Sequence, residues 1–171
     1  MANITIRKMQ PEDWQEVAVI YEQGIVSGKA TYPQDVPSYE VWDEAHHQHS
    51  RLVAEIDGNI AGWIALTPSF ARSIYSGVAE ISLYVHQDYQ RQGVGRTLVQ
   101  ALEEESVRNG IWTLEALIFD DNTPSLQLFQ KCGFDLLGIR QKLGYDKKLE
   151  TAIINLEVAN KKFYHVANFL S

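Results

Sequence analysis

The sequence contains a single cysteine, Cys132, among its 171 residues. One cysteine cannot form an internal disulfide, so nothing in the sequence indicates an oxidising compartment. No apolar run approaches the roughly 18 residues that a membrane-spanning helix needs. The N-terminal residues also lack the apolar stretch of a secretory signal. These absences predict a cytoplasmic protein that has no membrane partner.

Basic charge is scarce as well. Lysine and arginine number 15 against 22 aspartates and glutamates, which gives a formal net charge of −7. A nucleic-acid-binding protein needs a basic face that displaces counterions, so we expect no nucleic acid partner. A local basic pocket is still compatible with this composition. The length and the 45% content of hydrophobic residues favour one globular domain.

Hydrophobic periodicity divides the chain into alternating strands and helices. Interleaved helices and a mixed sheet indicate a three-layer domain of the α/β or α+β class. In chain order, the patterns predict a strand (3–9), a helix ending at Gly24 (10–24), a polar helix (38–50), a hairpin with its turn at 57–59, a strand (79–85), a helix (93–110), a strand (113–119), a short helix (124–133) and two strands (134–144 and 151–158).

Two glycines lie one residue apart in the segment 89–96, YQRQGVGR, directly after a predicted strand. The chain has no G-x-x-x-x-G-K-[ST] run, which excludes a P-loop. The dinucleotide motif G-x-G-x-x-G fails because Leu98 stands at the third glycine, although Glu115 follows Gly95 at the spacing of a ribose-binding acid. A glycine-rich turn with solvated arginines and no ligand is a further alternative.

An anion site at this segment has a physical basis. Gly93 and Gly95 let the backbone approach an anion closely and adopt positive φ. The dipole of the following helix favours negative charge at its start. Arg91 and Arg96 add cationic donors that reach phosphate. The segment therefore predicts binding of a phosphate-containing ligand.

Two motifs resemble those of the GNAT acetyltransferase superfamily. The run QRQGVG is similar to its pyrophosphate loop, Q/R-x-x-G-x-G/A, and 122–134, NTPSLQLFQKCGF, matches its pattern N-x-x-A/S-x-x-L-[Y/F/H]-x-x-x-G-F. The resemblance implies the GNAT fold over residues 1–157, with a C-terminal tail at 158–171. That fold is a mixed, twisted sheet of about seven strands with helices on both faces and splayed central strands.

The same resemblance implies acetyl-CoA as co-substrate and no metal. Three groups of residues would then bind the cofactor: a strand that pairs with pantetheine, the pyrophosphate loop, and a helix beside the pantetheine and the sulfur. They are Leu83, Tyr84 and Val85; Arg91, Gln92, Gly93, Val94, Gly95 and Arg96; and Asn122, Ser125 and Phe129.

Residues 72–85, RSIYSGVAEISLYV, resemble the phosphinothricin and methionine sulfoximine N-acetyltransferase branch, in which R-x-x-Y precedes a strand with E-x-S-x-Y-V. The resemblance implies that Arg72 and Tyr75 bind the carboxylate or phosphinate-like group of a small-molecule amine acceptor. It also implies that Tyr32 lines the acceptor pocket and that Glu80 is the general base. A homodimer is the assembly expected for this branch.

Strand periodicity supports Glu80 independently. Alternation places Glu80, Ser82 and Tyr84 on one face of the strand and the apolar residues on the other. A carboxylate in a strand of a mixed sheet is uncommon unless it is paired or useful. The alternative to a base is a solvated or salt-bridged glutamate, with Arg72 as the candidate partner.

Two positions depart from the family pattern. Phe129 stands where many members have a tyrosine that protonates the leaving thiolate, and phenylalanine has no proton to donate. The thiolate would then leave unprotonated, or Tyr84 or Tyr145 would assist. Leu149 stands where the branch has tryptophan near the acceptor, so the sequence departs from the branch at the acceptor pocket.

Other functions stay open on the sequence alone. The acceptor could be a polyamine, an aminoglycoside or a protein N-terminus, and the chain could be an acetyl-CoA-binding module without turnover. The run HHQH at 46–49 lacks a complete set of metal ligands, which favours a solvated polar helix. Cys132 is expected to pack behind the cofactor rather than to react. His86 would either contact phosphate or have no role.

Overall fold

The computed structural model describes residues 2–28, 35–146 and 151–160, and the side chains of 2–28 and 35–141. Within these ranges, seven strands form one mixed sheet in the order β1-β2-β3-β4-β5-β7-β6, which confirms the predicted class and element order. The elements are β1 (Thr5–Lys8), α1 (Trp14–Ser27), α2 (Tyr39–Ala45), β2 (Leu52–Ile56), β3 (Asn59–Pro68), β4 (Val78–Val85), α3 (Val94–Arg108), β5 (Thr113–Phe119), α4 (Thr123–Lys131), β6 (Phe134–Asp146) and β7 (Thr151–Asn160).

The central strands β4 and β5 separate after a short parallel contact. Their Cα register holds for three pairs, from Val78 with Thr113 to Glu80 with Glu115. Beyond that, β4 stays paired with β3, while β5 pairs with β7 from Glu115 to Phe119. The two strands therefore form a fork, closed at the Glu80–Glu115 pair and open toward the start of α3. This geometry confirms the predicted splaying.

Each face of the sheet carries its own apolar core. Leu98 and Leu102 of α3, with Phe129 of α4, pack on one face, and β4 contributes alternate residues such as Ala79 and Ile81 to this layer. The opposite core lies under α1 and α2 and is largely aromatic. Its buried members are Val17, Ile20, Tyr21, Ile25, Trp42, Val53, Ile60, Trp63, Ala65 and Tyr84. The alternation predicted for β4 is thereby confirmed.

Two helix ends differ from the sequence prediction. Helix α1 continues past Gly24 and ends at Gly28, whose φ of 70° is left-handed, because Ile25 extends the buried stripe by one turn. Helix α2 begins after Ser38, whose hydroxyl accepts a hydrogen bond from the Val41 amide. It ends at Ala45 rather than residue 50, so the predicted helix is shortened at its C-terminal end.

The predicted hairpin is confirmed. Asp57 and Gly58 both have positive φ, 51° and 80°, which is the two-residue turn whose twist suits a hairpin. At the other end of the chain, β7 runs from Thr151 to Asn160, and the domain boundary at residue 157 stays a prediction. The rest of the predicted tail, 161–171, lies outside the described residues.

No helix in the described ranges is both long and apolar enough to cross a membrane.

Arg7 ties the first strand to its surroundings. Its guanidinium donates hydrogen bonds to the Asp13 carboxylate at 2.7 and 2.9 Å, and its Nε donates to Glu55 of β2 at 2.8 Å. The hydrogen bonds from Arg7 lower the pKa of Asp13, and those carboxylates in turn raise the pKa of Arg7. One side chain therefore fixes the edge strand, the start of α1 and β2 together.

Gly62 of β3 lies directly under α3. A Cβ there would lie 2.9 Å from the Tyr84 carbonyl oxygen and 3.0 Å from Val94 Cγ1. We expect Gly62→Ala to lower the free energy of unfolding by about 1–3 kcal/mol, because overpacking forces the helix away from the sheet. Denaturant titration measures the change. Gly138→Ala is the matched control, since nothing lies within 4 Å of its added Cβ. Equal losses in both variants would contradict this account.

Candidate active site

Glu80 lies at the closed end of the fork. It is half-buried, faces Thr67 across the β3–β4 ladder, and is the last β4 residue in register with β5. Its side chain projects on the face that carries α1 and α2, as the alternation of β4 requires. Within the described ranges, no salt bridge joins it to Arg72, and its role as the base stays a prediction.

The open part of the fork exposes one edge of β4. From residue 81 to Val85, β4 is paired with β3 on one side and, in the described part of the chain, has no strand partner toward β5. Backbone N–H and C=O groups of this segment therefore point into the gap between β4 and β5. An extended chain with amide groups can pair with such an edge as an added strand.

The loop after β4 holds two residues in left-handed conformation. Arg91 has φ 61° and Gly93 has φ 87°, so the backbone reverses sharply before α3 begins at Val94. Gly95 differs from the prediction, because it is helical and buried. A Cβ on it would lie 3.0 Å from Leu128 Cδ2. Of the two glycines, only Gly93 adopts the left-handed conformation of the turn, whereas Gly95 permits close packing of α3.

The start of α3 presents a cationic surface. Arg91 and Arg96 are exposed, and neither forms a salt bridge within the described residues. The first-turn N–H groups of this 15-residue helix have no intrahelical partner. The first-turn amides of α3, the dipole of this helix and the two guanidinium groups together favour an anion at the open end of the fork.

A second exposed surface lies near the closed end, in the loop between β3 and β4. The Arg72 guanidinium carbon is 6.0 Å from the centroid of the Tyr75 ring. Phe70, which the sequence analysis did not single out, is 52% exposed and packs on Tyr75 with ring centroids 5.1 Å apart. Tyr32, predicted for the same pocket, lies outside the described residues.

The forked sheet agrees with the comparisons to known proteins. The model of the acetyltransferase (GNAT) family matches residues 11–134. The chain belongs to the GNAT acetyltransferase family. It is therefore an acetyltransferase, and GNAT acetyltransferases use acetyl-CoA as the acetyl donor.

Relatives of this GNAT acetyltransferase include amino-acid-modifying enzymes. It is 32% identical to phosphinothricin N-acetyltransferase of Alcaligenes faecalis, over 82% of this chain and 75% of that protein. It is 26% identical to L-methionine sulfoximine/L-methionine sulfone acetyltransferase of Pseudomonas aeruginosa, over 90% of this chain and 95% of that protein. The crystal structure of Sinorhizobium meliloti phosphinothricin acetyltransferase with acetyl-CoA has a TM-score of 0.82 at 21% identity, covering 92% of this chain and 87% of that one, which shows the shared fold.

Helix α4 of the acetyltransferase borders the fork on the α3 side. Asn122 caps it, since its side-chain oxygen accepts from the Ser125 amide at 3.4 Å. Phe129 is only 3% exposed and packs edge-on against Phe134, so the structure does not bring its side chain to the surface with the loop residues. Cys132 is buried at the end of the same helix, in accord with the prediction that it packs.

Of the two proposed substitutes for the missing acid, the structure describes the side chain of Tyr84 only. The Tyr84 ring is buried, stacked on Trp63 at 4.9 Å and in edge contact with Tyr21 at 4.9 Å. The side chain of Tyr145 lies outside the described residues. His86, whose role the sequence left open, caps the turn before the loop, because its Nδ1 accepts from the Asp88 amide at 3.2 Å.

The histidines at 46–49 form no solvated helix, which corrects the prediction. They follow the end of α2, and His46 stacks on Trp42 with ring centroids 4.2 Å apart. Arg51 binds the backbone of this segment, donating to the His47 carbonyl at 2.6 Å. No group of three potential metal ligands occurs among the described residues. The segment is a packed connection between α2 and β2.

Burial lowers the pKa of His46, His47 and His49 below the ordinary value of 6.5. As the pH falls past 6.5, the unfolded chain takes up protons before the folded chain does. The free energy of unfolding should therefore decrease between pH 7 and about 5.5. Replacing all three histidines with glutamine should flatten this slope in urea titrations. Gln48→Ala in the same segment is the control and should keep the wild-type slope; a triple variant that also keeps it would contradict the prediction.

Proposed function

We propose that the protein transfers the acetyl group of acetyl-CoA directly to the amino group of a small amino acid or analogue, of the phosphinothricin or methionine sulfoximine type. The observation that carries this proposal is the exposed Arg72 guanidinium beside Tyr75, on the loop that leads into the strand of Glu80. A cation at that place suits an acceptor with a carboxylate. The names of the two relatives point to the same class.

The residues around the open fork fit acetyl-CoA. The pyrophosphate would bind at the loop 91–95 and the start of α3, with Arg91 and Arg96 as cationic donors. The pantetheine amides would pair with the edge of β4 that faces the gap, at Leu83, Tyr84 and Val85, in the manner of an added strand. Asn122 and Ser125 would border the sulfur end from α4.

The chemistry then needs a base at the vertex. An amino acid arrives as an ammonium ion, and Glu80 would take one proton, directly or through a water, so that the nitrogen lone pair can attack the thioester carbon. The new C–N bond forms, the C–S bond breaks, and a backbone amide of β4 near Leu83 would stabilise the oxyanion between these steps. As the C–S bond breaks, the nitrogen gives its second proton to solvent water, which leaves the neutral amide. Coenzyme A would leave as the thiolate, because Phe129 has no proton to donate and a thiol pKa of about 8.5 tolerates that charge.

Free-thiol release from acetyl-CoA tests the proposed function. The panel contains phosphinothricin, methionine sulfoximine, common amino acids, spermidine and an aminoglycoside. We expect turnover with amino acids and little with the cations, which lack a carboxylate for Arg72. Turnover confined to the polycations would overturn the amino-acid proposal and keep the family assignment.

Glu80→Gln tests the base. We expect kcat to fall by about 10²–10⁴, the usual contribution of a general base, with acetyl-CoA affinity changed less than about twofold. Thiol release gives kcat, and calorimetry gives the affinity. Glu44→Gln, an exposed change on α2, is the matched control and should behave as wild type. A Glu80→Gln enzyme with nearly normal kcat would exclude this residue as the base.

Arg72→Ala tests the carboxylate site. Loss of a charge-assisted contact worth about 1.5–3 kcal/mol should raise KM for a free amino acid by about 10- to 100-fold. The methyl ester of the same amino acid lacks the charge and should show a much smaller rise. Steady-state kinetics with both acceptors gives the comparison, and Arg108→Ala on α3 is the control variant. Equal rises for acid and ester would contradict the assigned role.

A further inference from the structure

The two exposed aromatic rings among the described side chains are in contact with each other. Phe70 and Tyr75 are 52% and 39% exposed, and their ring centroids lie 5.1 Å apart in the loop 69–77 between β3 and β4. Ile74 of the same loop is 60% exposed. All other aromatic side chains in the described part of the chain are buried or half-buried. An exposed apolar patch bordered by polar groups is typical of a binding surface.

Polar groups border this apolar patch of Phe70, Ile74 and Tyr75. The Arg72 guanidinium carbon lies 6.0 Å from the Tyr75 centroid, and Arg72 forms no salt bridge with any described residue. At the start of the loop, the Ser69 hydroxyl is shielded from solvent and has no hydrogen-bond partner among the described residues. A buried hydroxyl without a partner is unfavourable, and a polar group of a ligand can supply one. The loop therefore suits a ligand that combines an anionic group with an apolar part.

Backbone hydrogen bonds hold the loop in place before any ligand binds. The carbonyl of its last residue, Gly77, accepts from the Trp112 and Thr113 amides at 2.8 and 3.0 Å. Within the loop, the Tyr75 amide donates to the Arg72 carbonyl at 3.0 Å, which fixes the short turn between the two residues. Groups that are already in position lose less conformational entropy when a ligand binds.

We propose that Phe70 and Ile74 are specificity-determining residues, which bind the apolar side chain of the acceptor together with Tyr75. The acceptor's carboxylate lies at Arg72, and its amino group points toward Glu80 on the strand that follows the loop. The site then takes α-amino acids with an apolar side chain of about methionine size and discriminates against glycine. This inference rests on the proposed function, because it needs an amino acid as the acceptor.

A homologous series of acceptors tests this subsite, because only the side chain changes along it. The series is glycine, alanine, 2-aminobutyrate, norvaline and norleucine, and thiol release from acetyl-CoA gives kcat/KM. For the wild type we expect an increase of about fourfold for each CH₂ group that the subsite buries. Phe70→Ala should lower kcat/KM for norleucine by about tenfold and for glycine by less than about twofold. Phe70→Leu should recover part of the loss, and Ile74→Ala should have a smaller effect in the same direction.

Val107→Ala changes another exposed apolar side chain, on α3, and is the control that should keep the wild-type slope. A Phe70→Ala enzyme that keeps this slope, or that loses glycine and norleucine turnover equally, would overturn the proposal. Equal turnover across the wild-type series would overturn the subsite alone. Turnover confined to the polycations of the panel would overturn the proposed function, and this inference with it.

Exposed aromatic rings can also be covered by a second copy of the chain. Light scattering after gel filtration gives the mass of the wild type and of Phe70→Ala at the same protein concentration. We expect the same mass for both, because the acceptor rather than a subunit occupies the patch. A lower mass for Phe70→Ala would show that the ring belongs to an interface between subunits, and would overturn the proposal.

Discussion

The short parallel contact between β4 and β5 is the constraint on which the site depends. Three register pairs join the strands, and the contact ends at Glu80 and Glu115. Had pairing continued, the edge of β4 would be satisfied by β5 and could not accept another extended chain. Because β5 turns instead to β7, the sheet stays continuous while a gap opens inside it. The same divergence brings two acidic side chains to one vertex.

Close packing of α3 aligns the anion site with that gap. Gly62 on β3 and Gly95 in the first turn of α3 leave no room for a Cβ, so the helix approaches the sheet closely. Its start therefore lies at the open end of the fork, where Gly93 reverses the chain. The aromatic core on the opposite face, with Trp63 stacked on Tyr84, supports β4 from below. In the acetyl-CoA site that we propose, backbone packing sets the geometry.

Much of the fold and the family could be predicted from the sequence, because both depend on local patterns. Period-2 alternation predicted which residues lie on each face of β4, the Asp57–Gly58 pair predicted the hairpin, and the spacing of two short motifs indicated the family. The predictions that were wrong depended on tertiary contacts. Helix α1 ends later than predicted because Ile25 is buried, and the histidine segment packs on Trp42 instead of facing solvent. The proximity of Glu115 to Glu80 could not be predicted for the same reason, since only the register across the sheet places the two residues side by side.

Amide hydrogen exchange with and without acetyl-CoA tests the central claim most directly. If the donor pairs with the free edge of β4 and its pyrophosphate binds at the helix start, exchange should slow at residues 81–85 and 91–97. Exchange in β2 (Leu52–Ile56), which is already paired on both sides by β1 and β3, should not change. Slowing at the helix start with none in 81–85, or uniform slowing across the sheet, would contradict the fork as the site of acetyl-CoA binding.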